Sequence, residues 1–440
     1  MINKVTVFFI IIISILPISL ITGPAIPDIS ITFSAIFFSF LIFYNKDYKY
    51  LFNNKILLIS IIFWFYLIII SFFAENKYLS FRDALIFIRI LLIPILIYYL
   101  IGQKTKLIEG ILTIILITVL FVCLDTLYQF TNYKSELGFG KDLLGFSPNW
   151  YGRLTGPFGK ELIPGAYLSK FAFFGLIIFF YKFNTKSYYN LASIIYLTLV
   201  GIAIFASGER MALATYFMGI VFLLLFFNKK RLIFLFSLIL IILSCFLVKK
   251  IHPFYNDFTI IDSTPFHLGL KVEKSFPCKN NNELYCKKII NLQPEFSQVI
   301  KNFDKSAYGE IYYLGIRMFD DHKFLGIGLN NFTYLCKHDE RYNNIMKNYN
   351  CTSHPHNIYL QWLVETGIIG LLVFLFYLSY LFIYIYKKNS EYTFIGIASL
   401  LVLFWPIMST GSLLKNWNGI STFFIVGVCL LITNLKKKTN

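Results

Sequence analysis

Residues 229–248 read KKRLIFLFSLILIILSCFLV: three basic residues, then seventeen positions without Asp, Glu, Lys, Arg or His. A helix that crosses a bilayer needs about 20 predominantly apolar residues, because in hydrocarbon every backbone N–H and C=O must find its partner within the segment. The run at 232–248 decides the fold because the pattern recurs. Comparable stretches lie at 5–22, 26–44, 56–74, 84–101, 108–130, 164–181, 191–206, 211–227, 358–386, 393–410 and 418–434. The chain as a whole is 57% hydrophobic and 14% charged, against roughly a quarter charged in soluble domains, which excludes a globular cytosolic enzyme. The expected fold is therefore an all-α polytopic membrane protein with about 12 transmembrane helices. Lys4 precedes the first run as in a signal peptide, but no small-x-small cleavage site follows before Pro24, so that run is read as a retained span.

The formal charge of +17 would suit a nucleic-acid binder if it were clustered. It is instead distributed at alternate ends of the spans. Lys46, Lys49 and Lys55 follow the second span, Lys104 and Lys106 the fourth, Lys182 and Lys186 the sixth. Lys229, Lys230 and Arg231 follow the eighth, Lys387 and Lys388 the tenth, and Lys436 to Lys438 the last. The positive-inside rule then assigns the even-numbered connections and both termini to the cytoplasm.

Two connections on the opposite side are long enough to hold chemistry, 131–163 and 249–357. The expected organisation is thus spans one to nine over 1–248, a large outer loop over 249–357, and spans ten to twelve over 358–440. A loop of that length without structure is uncommon, so a small folded cap is expected. Within it, Ala307, Tyr308, Ile311, Tyr312 and Gly315-Ile316 have the spacing of a short amphipathic helix over 306–319. Cysteines follow the same division: Cys123, Cys245 and Cys429 fall in spans, whereas Cys278, Cys286, Cys336 and Cys351 fall in the loop. Four cysteines in an oxidising compartment suggest two disulfides with three possible pairings. Proximity in sequence favours Cys278 with Cys286 and Cys336 with Cys351; free or metal-binding thiols are the alternative.

The densest polar constellation is Thr352-Ser353-His354-Pro355-His356-Asn357, directly before the tenth span. An imidazole titrates near about 6.5, so His356 is a candidate general base; the bland alternative is an interfacial His capping the helix together with Asn357. His354 and His356 alternate as metal ligands could, but Pro355 and the lack of a nearby acidic ligand weigh against zinc. Arg153, Arg210 and Arg317 lie in outer segments, and guanidinium groups match phosphate oxygens with paired donors. Each could equally be a snorkelling residue or ion-pair partner. Arg89, Asp125, Lys170 and Glu365 fall within spans, where ionisable groups are costly. Pairing of Arg89 with Asp125 or Glu365 would make it structural. Glu365, nine residues past His356, is half a turn out of phase with it.

These residues resemble a known family. His356-Asn357 followed by Gly367-Ile368-Ile369-Gly370 resembles the signature of the O-antigen ligase and O-antigen polymerase superfamily. Arg317 followed by Asp321-His322-Lys323-Phe324-Leu325-Gly326-Ile327-Gly328 is similar to its arginine, short helix and glycine turn, with Lys323 where proline is usual. Ser207 to Arg210 resembles its arginine motif between spans, and Arg153 to Gly156 its first outer loop. The resemblance implies a C-type glycosyltransferase-like fold in a bacterial inner membrane, with an active site on the periplasmic face. It implies inverting transfer of a glycan from undecaprenyl diphosphate to an acceptor hydroxyl, without metal, cofactor or nucleotide sugar and without nucleic acid as partner. Carried over, His356 activates the acceptor while Arg210 and Arg317 bind the diphosphate; Arg153, Arg89, Asn357 and His354 are expected to bind substrate. The acceptor is lipid A-core in a ligase, as in lipopolysaccharide biosynthesis, and another lipid-linked unit in an O-antigen, capsular or exopolysaccharide polymerase. A lipid or polysaccharide transporter is a different class; it would show discontinuous spans and a midplane site.

Overall fold

The computed structural model describes residues 2–102, 104–134, 138–148, 152–182, 188–256, 259–262, 270–277, 285–292, 296–346, 349–407 and 409–435. Lys186, Cys278 and Lys436 to Lys438 lie outside the described residues. The chain forms two compact units, residues 1–111 with 307–440, and residues 112–306. The division falls inside the long loop, between Ser306 and Ala307.

The first unit begins with α1 (Ile2–Ser14) and α2 (Leu16–Ser19), which meet at a bend of 49°. Pro17 lies in the first turn of α2, where its missing N–H is harmless, but its ring disfavours continuation of the preceding turn. There follow α3 (Ala25–Tyr44), α4 (Tyr48–Asn53), α5 (Lys55–Ser71), α6 (Lys77–Leu91) and α7 (Ile93–Ile101). Asn54 and Asn76 cap α5 and α6, accepting from the amides of Leu57 and Leu79 at 3.1 Å.

The second unit contains most of α8 (Thr105–Thr131), the short antiparallel pair β1 (Tyr133–Lys134) and β2 (Gly138–Phe139), then α9 (Pro164–Lys182), α10 (Tyr188–Ala206), α11 (Arg210–Phe226) and α12 (Arg231–Ile251). Beyond α13 (Pro253–Asn256), strands β3 (Thr259–Asp262), β4 (Leu270–Pro277) and β5 (Tyr285–Leu292) form an antiparallel sheet with β4 central, followed by α14 (Phe296–Lys301). Phe130, Phe139, Leu154 and Ala206 make a small core that fixes the 152–159 loop to the ends of α8 and α10.

The first unit resumes with α15 (Ala307–Asp321), α16 (Phe332–His338), α17 (Glu340–Asn343), α18 (Ile358–Lys388), α19 (Thr393–Leu403) and α20 (Asn416–Ile432). The amphipathic helix expected at 306–319 is α15, whose buried face of Ile311, Leu314 and Met318 packs with Phe332, Leu335, Tyr342 and Val364. A disulfide joins Cys336 to Cys351. Cys286 is disulfide-bonded as well.

Each of the twelve apolar stretches contains helix, but not every helix has the length of a crossing. By length and apolarity seven helices qualify among the described residues, eight if the bent N-terminal pair is one span. Lys55–Ser71, Arg210–Phe226, Thr393–Leu403 and Asn416–Ile432 are shorter. The apolar run at 393–410 shows why: α19 stops at Leu403 because Pro406 disfavours helical backbone at Trp405 and cannot donate to the preceding turn.

α18 is interrupted at Gly367, which takes φ +67° and ψ −173°. The turn Phe324–Gly328 packs into the break. Ile327 and Gly328 donate their amides to the carbonyls of Val364 and Glu365, each at 3.0 Å, and Ile368 donates to Lys323 at 2.9 Å. A Cβ on Gly326, which has φ +72°, would lie 2.5 Å from the backbone of Glu365 to Gly367. Gly326→Ala is therefore expected to cost at least about 2 kcal/mol, since left-handed backbone alone costs an L-residue roughly 1–2. Gly110→Ala is the control: its Cβ would meet nothing within 4 Å on α8, and it should be neutral or stabilising by up to about 1 kcal/mol. Thermal unfolding of the two purified variants checks this contrast.

Candidate active site

In the first unit, the polar segment before α18 is held at both ends. The Cys336–Cys351 bond anchors its start, and Thr333 donates to the Thr352 carbonyl at 2.7 Å. At its other end Asn357 caps α18, accepting from the Leu360 amide at 3.0 Å, and donates to the Pro406 carbonyl at 2.7 Å. Asn357 is thus engaged in structure at both ends of its amide.

His354 is buried, and both of its ring nitrogens have partners. Nε2 lies 3.0 Å from the Thr410 carbonyl and Nδ1 lies 2.9 Å from the Ser353 hydroxyl. A carbonyl only accepts, so Nε2 carries the proton and Nδ1 accepts from Ser353. Burial, with a smaller contribution from neighbouring His356 and Lys415, pushes His354 down to about 4. It is a neutral strut, and no ring nitrogen is left for a substrate.

His356 differs. Its backbone is left-handed at φ +54°, and its carbonyl accepts from the Thr410 amide at 2.8 Å. Its ring lies 4.2 Å from that of His354 and is met edge-on by Tyr308 of α15 at 6.0 Å. Among the described residues no hydrogen bond engages either of its ring nitrogens. Burial lowers its pKa below the ordinary imidazole value, so it is neutral at neutral pH and can accept a proton. Tyr308 is fixed in turn by a 3.0 Å hydrogen bond from Ser409.

The structure does not bring Arg317 to this imidazole. Arg317 is exposed on α15, nine residues from Tyr308, roughly 14 Å along the helix and about half a turn around it. It has no ion pair or hydrogen bond among the described residues. Arg89 is used internally: it lies 2.5 Å from Asp28, donates to Thr32 at 2.5 Å and to Asn416 at 3.2 Å. Its partner is Asp28, not Asp125 or Glu365 as the sequence suggested, and it ties α3, α6 and α20 together.

In the second unit the two arginine motifs meet. The Leu154 amide donates to the Ser207 carbonyl at 3.1 Å, and a Cβ on Gly208, at φ +77°, would overlap the Gly152 carbonyl. Glu209 accepts from the amides of Gly165 and Ala166 at 2.7 and 3.2 Å, capping α9. Arg153 lies 3.8 Å from Glu209 and donates to the Leu162 carbonyl at 2.7 Å. Burial raises Glu209 to about 7 against the opposing pull of Arg153, the two amides and Lys170. Arg210, the next residue, is exposed as the first residue of α11. Gln129 of α8 holds the loop from the other side, accepting from the amides of Thr155 and Gly156 at 3.0 and 2.9 Å. Sequence reasoning gave Glu209 and Gln129 no role, although Glu209 stands within the Ser207 to Arg210 motif; Tyr308 was seen only as part of an apolar face.

Among the described residues no group of three or more His, Cys, Asp or Glu side chains could hold a metal ion. Residues 194–375 match the family model described as O-antigen ligase. The chain carries an O-antigen ligase family domain. The matched segment contains Arg210, Arg317, His354, His356 and Asn357, and it supports ligase- or polymerase-type action on glycans in general, in a multi-pass membrane protein. A comparison with curated proteins gives no match.

His354 makes the fold acid-sensitive. Its folded pKa is depressed from 6.5 to about 4, so below about 6.5 the unfolded chain binds a proton that the folded chain refuses. The stability it contributes is fully present above that value and falls as pH drops towards 4, by roughly 3 kcal/mol in total. His354→Gln is expected to flatten this part of the stability curve, measured as thermal unfolding between pH 7 and pH 4.

Proposed function

We propose that this O-antigen ligase domain protein transfers a glycan from undecaprenyl diphosphate to an acceptor hydroxyl on the periplasmic face of the bacterial inner membrane, with lipid A-core as acceptor. The observation that carries this reading is His356: a neutral, half-buried imidazole whose nitrogens have no hydrogen-bond partner among the described residues, held in the segment that matches the family. In the proposed step an acceptor hydroxyl gives its proton to His356 as its oxygen bonds to the anomeric carbon. The bond from that carbon to the diphosphate oxygen breaks on the opposite side, inverting the configuration, and undecaprenyl diphosphate leaves with the electron pair.

Arg210 offers a cation to the diphosphate as its negative charge grows. Arg153, bonded to Glu209 and Leu162, is better suited to holding the Ser207–Arg210 segment than to gripping substrate. Arg317, exposed and turned away from Tyr308, suits capture of the donor diphosphate more than contact with the reacting hydroxyl. His354, Asn357 and Arg89 position other groups through the bonds described above.

Purified protein with undecaprenyl-diphosphate glycan and lipid A-core tests the roles. His356→Ala should lower the turnover rate by about 10²- to 10⁴-fold, the usual range for removing a general base. In the wild type the acid limb of the rate profile should lie below about pH 6.5, because burial lowers His356. Arg317→Ala should raise KM for the donor more than it lowers kcat. Unimpaired transfer by His356→Ala removes the proposed base. A strain lacking the protein separates the acceptors: core without any O-antigen indicates ligation, whereas core capped with a single repeat indicates a polymerase.

A further inference from the structure

At the far end of α18 from Asn357, roughly 35 Å along the helix, the first unit has a half-open surface cleft of about 380 Å³. That volume lies within the range of about 300–1,000 Å³ typical of ligand pockets. Its wall presents Tyr50, Asn54, Lys55, Tyr98, Tyr380 and Tyr384, and its apolar part is Ile56, Ile95 and Leu430. No carboxylate lines it. Asn54 donates to the Tyr50 hydroxyl at 3.1 Å, which leaves the Tyr50 proton to donate elsewhere. Further basic residues lie on the same elements: Lys388 lies 5.2 Å over the Tyr384 ring, and Lys46 and Lys49 stand at the start of α4, the helix that carries Tyr50. Asp47 in the same connection already accepts from Tyr99 at 2.6 Å.

Hydroxyl, amide and ammonium donors converging without an acid describe an anion site, and the phosphate ester is the anion that also brings an apolar tail. The outer faces of α5 and α18 expose Leu58, Ile62, Phe376 and Ile383, which is the surface lipid chains cover. We propose that this cleft binds the headgroup of an anionic membrane phospholipid, with Lys55 and the Tyr50 hydroxyl on the phosphate and Ile56, Ile95 and Leu430 against the first methylenes. Basic pockets between membrane helices recognise such headgroups. The site is separate from the glycan-transfer reading and does not depend on it.

Native mass spectrometry of the full-length protein in detergent, titrated with phosphatidylglycerol, phosphatidylethanolamine or inorganic phosphate, tests the assignment. Phosphatidylglycerol should bind more tightly than phosphatidylethanolamine, and Lys55→Gln should weaken it about fivefold, the effect of one interfacial lysine. Tyr50→Phe, which keeps the ring and removes the hydroxyl, should also weaken it. Equal binding of the two lipids, or unchanged binding in both variants, overturns the proposal. Competition by inorganic phosphate at concentrations equal to the lipid assigns the site to free phosphate and overturns it as well; absence of such competition supports the lipid.

Discussion

Where α18 breaks at Gly367, the carbonyls of Val364 and Glu365 lose the amides that an unbroken helix would supply. An unsatisfied backbone group in an apolar setting costs several kcal/mol, so the break can persist only if another backbone fills it. The 324–328 turn does so with the amides of Ile327 and Gly328. Both partners need glycine. A Cβ on Gly367 would overlap the Phe324 carbonyl, and one on Gly326 would meet the backbone of residues 365 to 367. The two glycine runs in the sequence are therefore two halves of one joint.

That joint fixes α15 and its turn to α18, and from there the polar segment inherits its geometry. Gly315 lies against Leu360 and Val364, which sets the height of Tyr308 beside His356. The left-handed backbone of His356 is unfavourable for a side-chain-bearing residue by roughly 1–2 kcal/mol. It is held by the Thr410 amide, by Asn357 at the start of α18 and by the disulfide upstream. Removing about 15 residues of loop freedom, as this crosslink does, is worth roughly 3 kcal/mol in the chain-entropy account. These contacts hold the ring where Tyr308 and His354 frame it.

Much of this was legible in sequence because it rests on local pattern. Apolar runs locate every long helix, since a bilayer leaves no other solution for twenty apolar residues, and the spacing of Ala307, Tyr308, Ile311, Tyr312 and Gly315-Ile316 locates α15, although the face that packs is Ile311, Leu314 and Met318 while Ile316 stays exposed. What escaped was set by distant partners. No local signal pairs Arg89 with Asp28, sixty-one positions earlier in the chain, or turns Thr410 towards two histidines. Span length was overread for a simpler reason: at 393–410 hydropathy continues past Leu403, whereas the backbone is stopped by Pro406. The interruption of α18 was equally invisible, because Gly367 followed by two isoleucines reads as ordinary apolar helix until the turn that fills it is known.

The pair His354 and His356 shows how one residue type takes two jobs two positions apart. With rings 4.2 Å apart, a proton on either would oppose a proton on the other at any effective dielectric below that of water. The outcome is decided by the neighbours. Thr410 offers His354 an acceptor and Ser353 a donor, a combination that only the neutral ring satisfies, so His354 stays uncharged. His356 therefore has no fixed cation beside it in the ring stack, and the remaining cost of placing a proton on it is burial. In the proposed reaction that strut would serve His356 electrically as well as mechanically: it fills the space beside the proposed base with a neutral ring whose nitrogens are already engaged.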